Sequence, residues 1–219
     1  MTLSRWVDKF AKEINLKMTL EGIQVFVIFL AGLVLFMSDQ PTLDKLLAGC
    51  RRNDRRSQQA LYDHFYSYAM AVALPYCSHA EEAREVLNEA FLKVFINIGR
   101  YDPAQSFTTW LRVIVVRTAI NHYHHRIREP DWLELDEALL PVSDKPDETL
   151  DRLSAEEILQ LTQQLPPAYR LTLNLYAIEG YSHAEIADML GISVGASKSN
   201  LSKARAKLRK LMNLLRILF

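Results

Sequence analysis

The stretch YSHAEIADMLGISVGASKSNLSKARAKLRKL, residues 181–211, contains two helical patterns joined by a tight turn. Ser182 is followed three residues later by Glu185, an arrangement typical of a reciprocal capping box at the start of a helix. Gly191 tolerates a positive φ angle and so predicts the end of that helix, and Ser193 can cap a second one. The stretch therefore predicts two helices with a short turn between them.

The second helix of this stretch has one apolar face, and its other faces are polar and basic. Val194, Leu201, Ala204, Leu208 and Leu211 recur at helical spacing, which predicts that they face the core. The pair is typical of a helix-turn-helix, which lays its second helix in the DNA major groove. An ordinary helical hairpin with a solvated basic face is the alternative. The residues predicted to face DNA are Lys198, Ser199, Asn200, Ser202, Lys203 and Arg205.

The 219-residue chain has 26 basic and 26 acidic side chains, but they are unevenly distributed. Residues 40–128 carry 12 basic and 8 acidic side chains, residues 129–157 carry 2 and 11, and residues 158–219 carry 8 and 3. Two basic segments indicate contact with nucleic acid. Because most of the chain has a 3.6-residue period, we predict an all-α fold. Its two small helical domains, residues 40–128 and 158–219, are joined by an acidic linker, residues 129–157.

The sequence shows no pattern of catalytic or cofactor-binding residues. Cys50 and Cys77 belong to no ligand motif, so a reduced compartment, the cytoplasm, is expected. His122, His124 and His125 invite a metal interpretation, but a basic helix end explains them without a metal. With no nucleophile, carboxylate pair or phosphate loop in the sequence, we predict a protein that is not an enzyme and has no cofactor.

Residues 1–36 form an apolar amino-terminal extension. From Ile23 to Phe36 the residues are apolar apart from Gln24 and Gly32. A 14-residue helix is about 21 Å long, short of a hydrocarbon core of about 30 Å. Two interpretations are open: an upstream extension that is not part of the protein, or a membrane or partner helix through residues 20–36.

Residues 80–98 show the cleanest helical period of the chain. A second stripe beside the apolar face places two large apolar residues next to polar ones, which is consistent with a surface that docks another protein. Scattered surface hydrophobic residues are the alternative. The stripe contains Glu85, Asn88, Glu89, Leu92 and Ile96.

A loop with Gly99, Asp102-Pro103 and Ser106 precedes the next helix. That helix carries a polar stripe at i, i+4, i+7 and i+11. Basic and aromatic residues together suit contact with single-stranded nucleic acid, whose bases stack on the aromatic rings. Helix packing is the alternative for the aromatic residues, and it is the favoured interpretation for Trp110. The stripe contains Arg117, Asn121, His124 and Arg128, and the aromatic residues are Tyr101, Phe107, Trp110 and Tyr123.

Taken together, these segments resemble the sigma-70 family of bacterial RNA polymerase initiation factors, specifically its extracytoplasmic-function group. REVLNEAFLKVF, residues 84–95, is similar to the polymerase-docking helix of region 2. FTTWLRVIVVRTAINHYHHR, residues 107–126, is similar to the part of region 2 that melts and reads the −10 element. Residues 165–208, from LPPAYR to KARAKL, resemble region 4, which reads the −35 element.

The resemblance implies a factor that binds core RNA polymerase, directs it to promoters and assists melting, while the polymerase does the chemistry. The implied partners are core RNA polymerase and promoter DNA, with an anti-sigma factor as a further candidate. The implied polymerase-binding residues are Glu85, Asn88, Glu89, Leu92, Lys93 and Ile96. Those implied for the −10 element and melting are Tyr101, Ser106, Thr109, Arg112, Arg117, Asn121, Tyr123, His124 and Arg126. Those for the −35 element are the six DNA-facing residues of the helix-turn-helix.

The sequence departs from the family pattern at several positions. The family usually has Gln at Asn88, Thr-Val at Ala196-Ser197, and Arg at Asn200. We expect Ser197, a polar residue at a normally apolar position, to loosen helix packing. Asn200 leaves the promoter sequence open, because Asn suits adenine where Arg prefers guanine. The alternative function is a helix-turn-helix regulator that does not bind polymerase, either free or tethered to a membrane by residues 20–36.

Overall fold

The computed structural model describes residues 40–126 and 155–218. The apolar extension and all but the last residues of the acidic linker lie outside these segments. The elements formed by the described residues are all helical, with loops between them, which confirms the all-α prediction. The chain divides between His125 and Arg126 into two compact units. None of the described helices is both long enough and apolar enough to cross a bilayer.

The first unit is built from four α-helices among its described residues, with short 3₁₀ turns after the second and third. All four helices contribute buried side chains to its core, including Leu47, Phe65, Leu87 and Leu111. The helices are α1 (Gln40–Arg51), α2 (Arg55–Ala73), α3 (Ala80–Asn97) and α4 (Phe107–Arg126), and the turns are Leu74–Tyr76 and Ile98–Arg100.

Two helix starts in this unit depend on capping side chains. The sequence pattern predicts a helix from about Ser57, but α2 begins at Arg55 because Asp54 caps it, its carboxylate accepting from the Ser57 amide at 3.1 Å. A bond from the Ser57 hydroxyl at 2.6 Å, together with this amide bond, lowers the pKa of Asp54. The start of α3 is capped by His79, whose Nδ1 accepts from the Glu82 amide at 3.2 Å. Histidine is not among the usual N-cap residues, so the sequence pattern does not reveal this cap.

The second unit contains two short helices followed by the helix-turn-helix. The sequence pattern predicts a helix over residues 158–165, but the helix begins at Ala155, inside the predicted linker. The sequence pattern also predicts a helix over residues 169–178, but the helix changes at Leu175 into a π-helical turn that ends at Gly180, whose φ is 78°. The elements are α5 (Ala155–Gln163), α6 (Pro167–Asn174), the π turn (Leu175–Glu179), α7 (His183–Leu190) and α8 (Val194–Leu218).

The core of this unit joins α5, α6 and α8 through Leu161, Leu173, Leu201 and Leu208. Arg170 is fully buried among them. One of its terminal nitrogens donates to the carbonyl oxygens of Gln163 at 2.9 Å and Leu165 at 3.2 Å. A cation suits this place, because the carbonyl groups at the end of a helix carry partial negative charge. Arg170 therefore fastens the carboxyl-terminal end of α5 to α6.

Candidate protein and nucleic-acid interfaces

The predicted capping box and turn are present in the second unit. The Ser182 hydroxyl accepts from the Glu185 amide at 3.3 Å, and the Glu185 carboxylate accepts from the Ser182 amide at 2.8 Å. These contacts with Ser182 lower the pKa of Glu185. Gly191 ends α7 with a φ of 65°, and the Ser193 hydroxyl accepts from the Ala196 amide at 3.0 Å. The turn and both caps are therefore confirmed.

The inward face of α8 begins one turn later than the sequence pattern predicts. Leu201, Ala204 and Leu208 are buried, as expected. Val194 is 44% exposed, so the prediction that it faces the core is wrong. The packed part of the stripe starts instead at Ser197, which is 0% exposed. The burial of a serine at this place requires a polar partner.

That partner is His183, the first residue of α7. Its Nδ1 and the Ser197 hydroxyl lie 3.0 Å apart, across the turn. The His183 ring in turn stacks on Tyr176, with centroids 4.8 Å apart and an interplanar angle of 21°. The expected loosening at Ser197 is therefore offset by a hydrogen bond between the two helices. A separation of 14 residues hides this contact from any local sequence pattern.

The outward faces of α8 carry the six predicted DNA residues. Three of them are exposed and three are partly buried. Lys203 Nζ lies 5.7 Å from the centroid of the Tyr169 ring, and the Arg205 guanidinium lies 6.0 Å from that of Tyr176. Both cations thus lie on aromatic faces. The exposed residues are Lys198, Ser199 and Ser202, and the partly buried ones are Asn200, Lys203 and Arg205.

The predicted apolar stripe of α3 faces outward. Leu92 is 62% exposed and Ile96 is 80% exposed, as the sequence pattern predicts. Glu85 and Asn88 beside them are exposed as well. Lys93 is only partly exposed, and its ammonium group lies 2.7 Å from the Glu89 carboxylate. The outer face of α3, defined by these residues, combines a central apolar pair with polar groups around it.

Side chains from neighbouring helices hold several of these polar groups. The Tyr62 hydroxyl donates to Asn88 Oδ1 at 2.9 Å. Lys93 donates to the hydroxyl of the buried Thr118 at 3.2 Å. Tyr62 and Thr118 are missing from the sequence-predicted set, because each lies at least 25 residues from its partner along the chain. Tyr62 is half-buried on α2 and Thr118 is buried on α4, so each of them would by itself be interpreted as a packing residue.

Tyr101, in the predicted base-capturing loop, is a core residue. It is 7% exposed, and its hydroxyl donates to the Gln105 carbonyl at 2.6 Å. Its ring packs 5.4 Å from Phe107 and 5.2 Å from Trp110, between centroids. These contacts favour the packing alternative for Tyr101 over stacking on an unpaired base, because a stacking ring must expose a face. The packing interpretation of Trp110 agrees with the same contacts.

The other predicted −10 residues lie along α4 and the end of the loop. Beside the loop, a cleft of about 400 Å³ opens between it and α1, lined by residues that include Arg51, Gln105 and Ser106. Arg128 lies outside the described residues. The exposed members of the set are Ser106, Thr109, Arg117 and Asn121, and the partly buried ones are Arg112, Tyr123, His124 and Arg126.

His122 contacts carboxylates at the start of α3. Its Nδ1 lies 3.5 Å from Glu82, and its Nε2 lies 3.5 Å from Glu85. Since both ring nitrogens face carboxylates, the contact ties α4 to α3. Within residues 40–126 and 155–218, no three His, Cys, Asp or Glu side chains are grouped so that they could hold a metal ion.

Comparisons with known proteins match both units. The family model for Sigma-70 region 2 matches residues 61–129, and that for Sigma-70, region 4 matches residues 155–208. The RNA polymerase sigma-H factor of Pseudomonas aeruginosa is 30% identical over 185 residues, which cover 80% of this chain and 95% of that protein. The RNA polymerase sigma factor CarQ of Myxococcus xanthus is 32% identical over 130 residues, which cover 59% of this chain and 74% of that protein.

A solved structure is similar at a lower level. The sigma factor RpoE in complex with the anti-sigma factor NepR from Bartonella quintana has 19% sequence identity. The match covers 71% of this chain and 96% of that one, with a TM-score of 0.43. At this TM-score the likeness carries no argument about the site.

Proposed function

The chain belongs to the sigma-70 family, in its extracytoplasmic-function group, and we propose that it uses three separate faces to place RNA polymerase on a promoter. A sigma factor is a non-catalytic subunit that directs RNA polymerase to promoters. In this proposal the outer face of α3 docks on core polymerase. The loop before α4, with α4 itself, captures the −10 element, and α8 reads the −35 element.

The docking role of α3 is supported by its exposed apolar pair. Leu92 and Ile96 lie side by side, one helical turn apart, and both point into solvent. Large apolar groups at the centre of a patch, with polar groups around them, are typical of a protein interface. An anti-sigma factor that covered the same pair would prevent docking, which is how we propose such a partner would act.

The −10 role is supported by the polar side chains along α4. Thr109, Arg117 and Asn121 are exposed and offer hydrogen bonds to phosphates and to base edges. Unpairing a base costs a few kcal/mol, and stacking on an aromatic ring returns about 1–3 kcal/mol per base. With Tyr101 buried, we assign stacking to the partly exposed Tyr123 and propose that the cleft beside Ser106 receives an unstacked base.

The −35 role is supported by the geometry of the helix-turn-helix. The second helix of this motif places its amino-terminal residues against base edges in the major groove. Lys198, Ser199 and Ser202 occupy that part of α8 and are exposed. Asn200 suits adenine. Lys203 and Arg205 lie on aromatic rings, and as cations they suit contact with phosphates.

The observation that carries the proposal is the joint presence of an exposed apolar docking face on α3 and a basic helix-turn-helix in one chain. In vitro transcription with purified core RNA polymerase, followed by mapping of the start sites, tests it. We expect initiation at a defined set of promoters only when this chain is added. If the chain binds duplex DNA but never directs initiation, the helix-turn-helix regulator is the better description.

A further inference from the structure

The contact between Tyr62 and Asn88 joins a half-buried residue of α2 to the exposed face of α3. The Tyr62 hydroxyl donates to Asn88 Oδ1 at 2.9 Å. Asn88 is exposed. Holding an exposed side chain in one orientation reduces the conformational entropy that is lost when a partner binds it.

Tyr62 is well placed to hold the Asn88 amide. Its ring packs 4.8 Å from the ring of the buried Phe91 and 5.6 Å from that of Tyr66, between centroids. Burial, with smaller effects from Tyr66 and Asp63, raises the pKa of the Tyr62 hydroxyl. The hydroxyl therefore keeps its proton at neutral pH and remains a hydrogen-bond donor.

A donor at this position decides which end of the amide turns outward. The amide group of asparagine has an oxygen that accepts and an NH₂ group that donates. When the oxygen accepts from Tyr62, the NH₂ group is directed away from α2. We propose that Tyr62 is a positioning residue of the docking face, which turns the Asn88 NH₂ group toward a carbonyl or carboxylate oxygen of core polymerase. This inference rests on the proposed function, because it assigns a partner group to that face.

Binding of the full chain to purified core RNA polymerase tests the proposal. Tyr62→Phe removes only the hydroxyl and keeps the ring packing. We expect it to raise the dissociation constant about three- to tenfold, the size of one lost hydrogen bond. Tyr66→Phe, which removes a hydroxyl one helical turn along α2, is the matched control and should leave the constant unchanged.

A double-mutant cycle separates positioning from a structural effect. Asn88→Ala should weaken binding by itself, and Tyr62→Phe should then cause no further loss in the Asn88→Ala background. A mere packing defect would weaken both backgrounds equally, and that result would overturn the proposal. The same holds if Tyr62→Phe or Asn88→Ala leaves binding unchanged.

Asn88→Asp tests the orientation of the amide. The carboxylate can still accept from Tyr62, but it replaces the outward NH₂ donor by an acceptor. We expect binding at least as weak as that of Asn88→Ala, whereas binding equal to that of the unaltered chain would show that Asn88 acts outward as an acceptor. Should the unaltered chain itself not bind core polymerase, the proposed function fails, and the positioning role fails with it.

Discussion

The outer faces of α3 and α8 are both the solvent-exposed sides of amphipathic helices, but they differ in chemistry. The first carries Leu92 and Ile96, large apolar side chains that solvent reaches. The second carries Lys198, Ser199 and Ser202 at the corresponding exposed positions. Apolar exposure suits a protein partner, whereas polar and basic exposure suits phosphates and base edges.

On each of these helices, a polar residue is held by a side chain from a neighbouring helix. Tyr62 holds Asn88 on α3, and His183 holds Ser197 on α8. Asn88 is exposed while Ser197 is fully buried. Because an unsatisfied buried polar group costs more than an exposed one, we expect the first contact to matter for binding and the second for stability.

A substitution at Leu92 gives the strongest test of the difference between the two faces. Leu92→Asp places a charge at the centre of the apolar pair, so docking on core polymerase should weaken by about 2 kcal/mol or more, as for a central interface residue. Binding of a −35 duplex should not change. Ser67→Asp, the same charge on an exposed position of α2, is the control. Competition binding with core polymerase provides the measurement, and equal binding by both variants would contradict the docking role.

The contact at Ser197 can be tested by its effect on unfolding. His183→Ala leaves the buried Ser197 hydroxyl without this partner, so the free energy of unfolding of the second unit should fall by about 1–3 kcal/mol. The double variant His183→Ala/Ser197→Val no longer contains the buried hydroxyl, so part of the lost free energy of unfolding should be recovered. Urea denaturation followed by far-ultraviolet circular dichroism measures both variants. If they are equally unstable, the hydrogen bond is not the cause of the loss.

Lys203 tests how the basic face of α8 uses its charges. If Lys203 contacts a base, Lys203→Ala weakens binding of a −35 duplex that carries this base by about 1–3 kcal/mol and relaxes specificity at that base position. If it contacts a phosphate, the slope of log K against log salt becomes shallower by about one for all sequences. Its place over the Tyr169 ring leads us to expect the second outcome. Titrations at several salt concentrations distinguish the two, and no change in either quantity removes Lys203 from the site.

The smallest expected effects concern the acid sensitivity of the two units, each of which has a carboxylate in a helix cap. Hydrogen bonds with Ser57 lower the pKa of Asp54 below its ordinary 3.8, and those with Ser182 lower that of Glu185 below 4.5. A lowered folded-state pKa stabilises the folded state above the ordinary value, and this stabilisation is lost as the pH falls through the folded-state value.

We therefore expect Asp54→Asn to reduce the loss of stability below pH 3.8 in the first unit, and Glu185→Gln to reduce the loss below pH 4.5 in the second. Thermal unfolding monitored over this pH range gives the measurement. Asp188→Asn, at an exposed carboxylate on the same helix as Glu185, serves as control. A control that flattens the pH dependence as much as Glu185→Gln would contradict the assignment to the cap.

Much of the fold follows from local sequence patterns, because these patterns act over one or two helical turns. The Ser182–Glu185 capping box, the glycine end of α7 and the buried stripe of α3 lie where the sequence predicts them. Boundaries that depend on less usual signals differ: α2 starts two residues early through Asp54, and α6 changes into a π turn at Leu175. Such shifts arise where caps and tertiary packing outweigh propensity.

The sequence by itself determined the all-α class, the order of the helices, the helix-turn-helix and the residue types available on each outer face, since helical periodicity places neighbours three and four residues apart on one side. Only the tertiary structure decided which residues are reachable. It buries Tyr101 against Phe107 and Trp110, and it satisfies Ser197 through His183. It also orients the Asn88 amide group through a hydrogen bond from Tyr62. Each of these outcomes depends on which element lies across the core from the residue in question, and helical periodicity does not specify that.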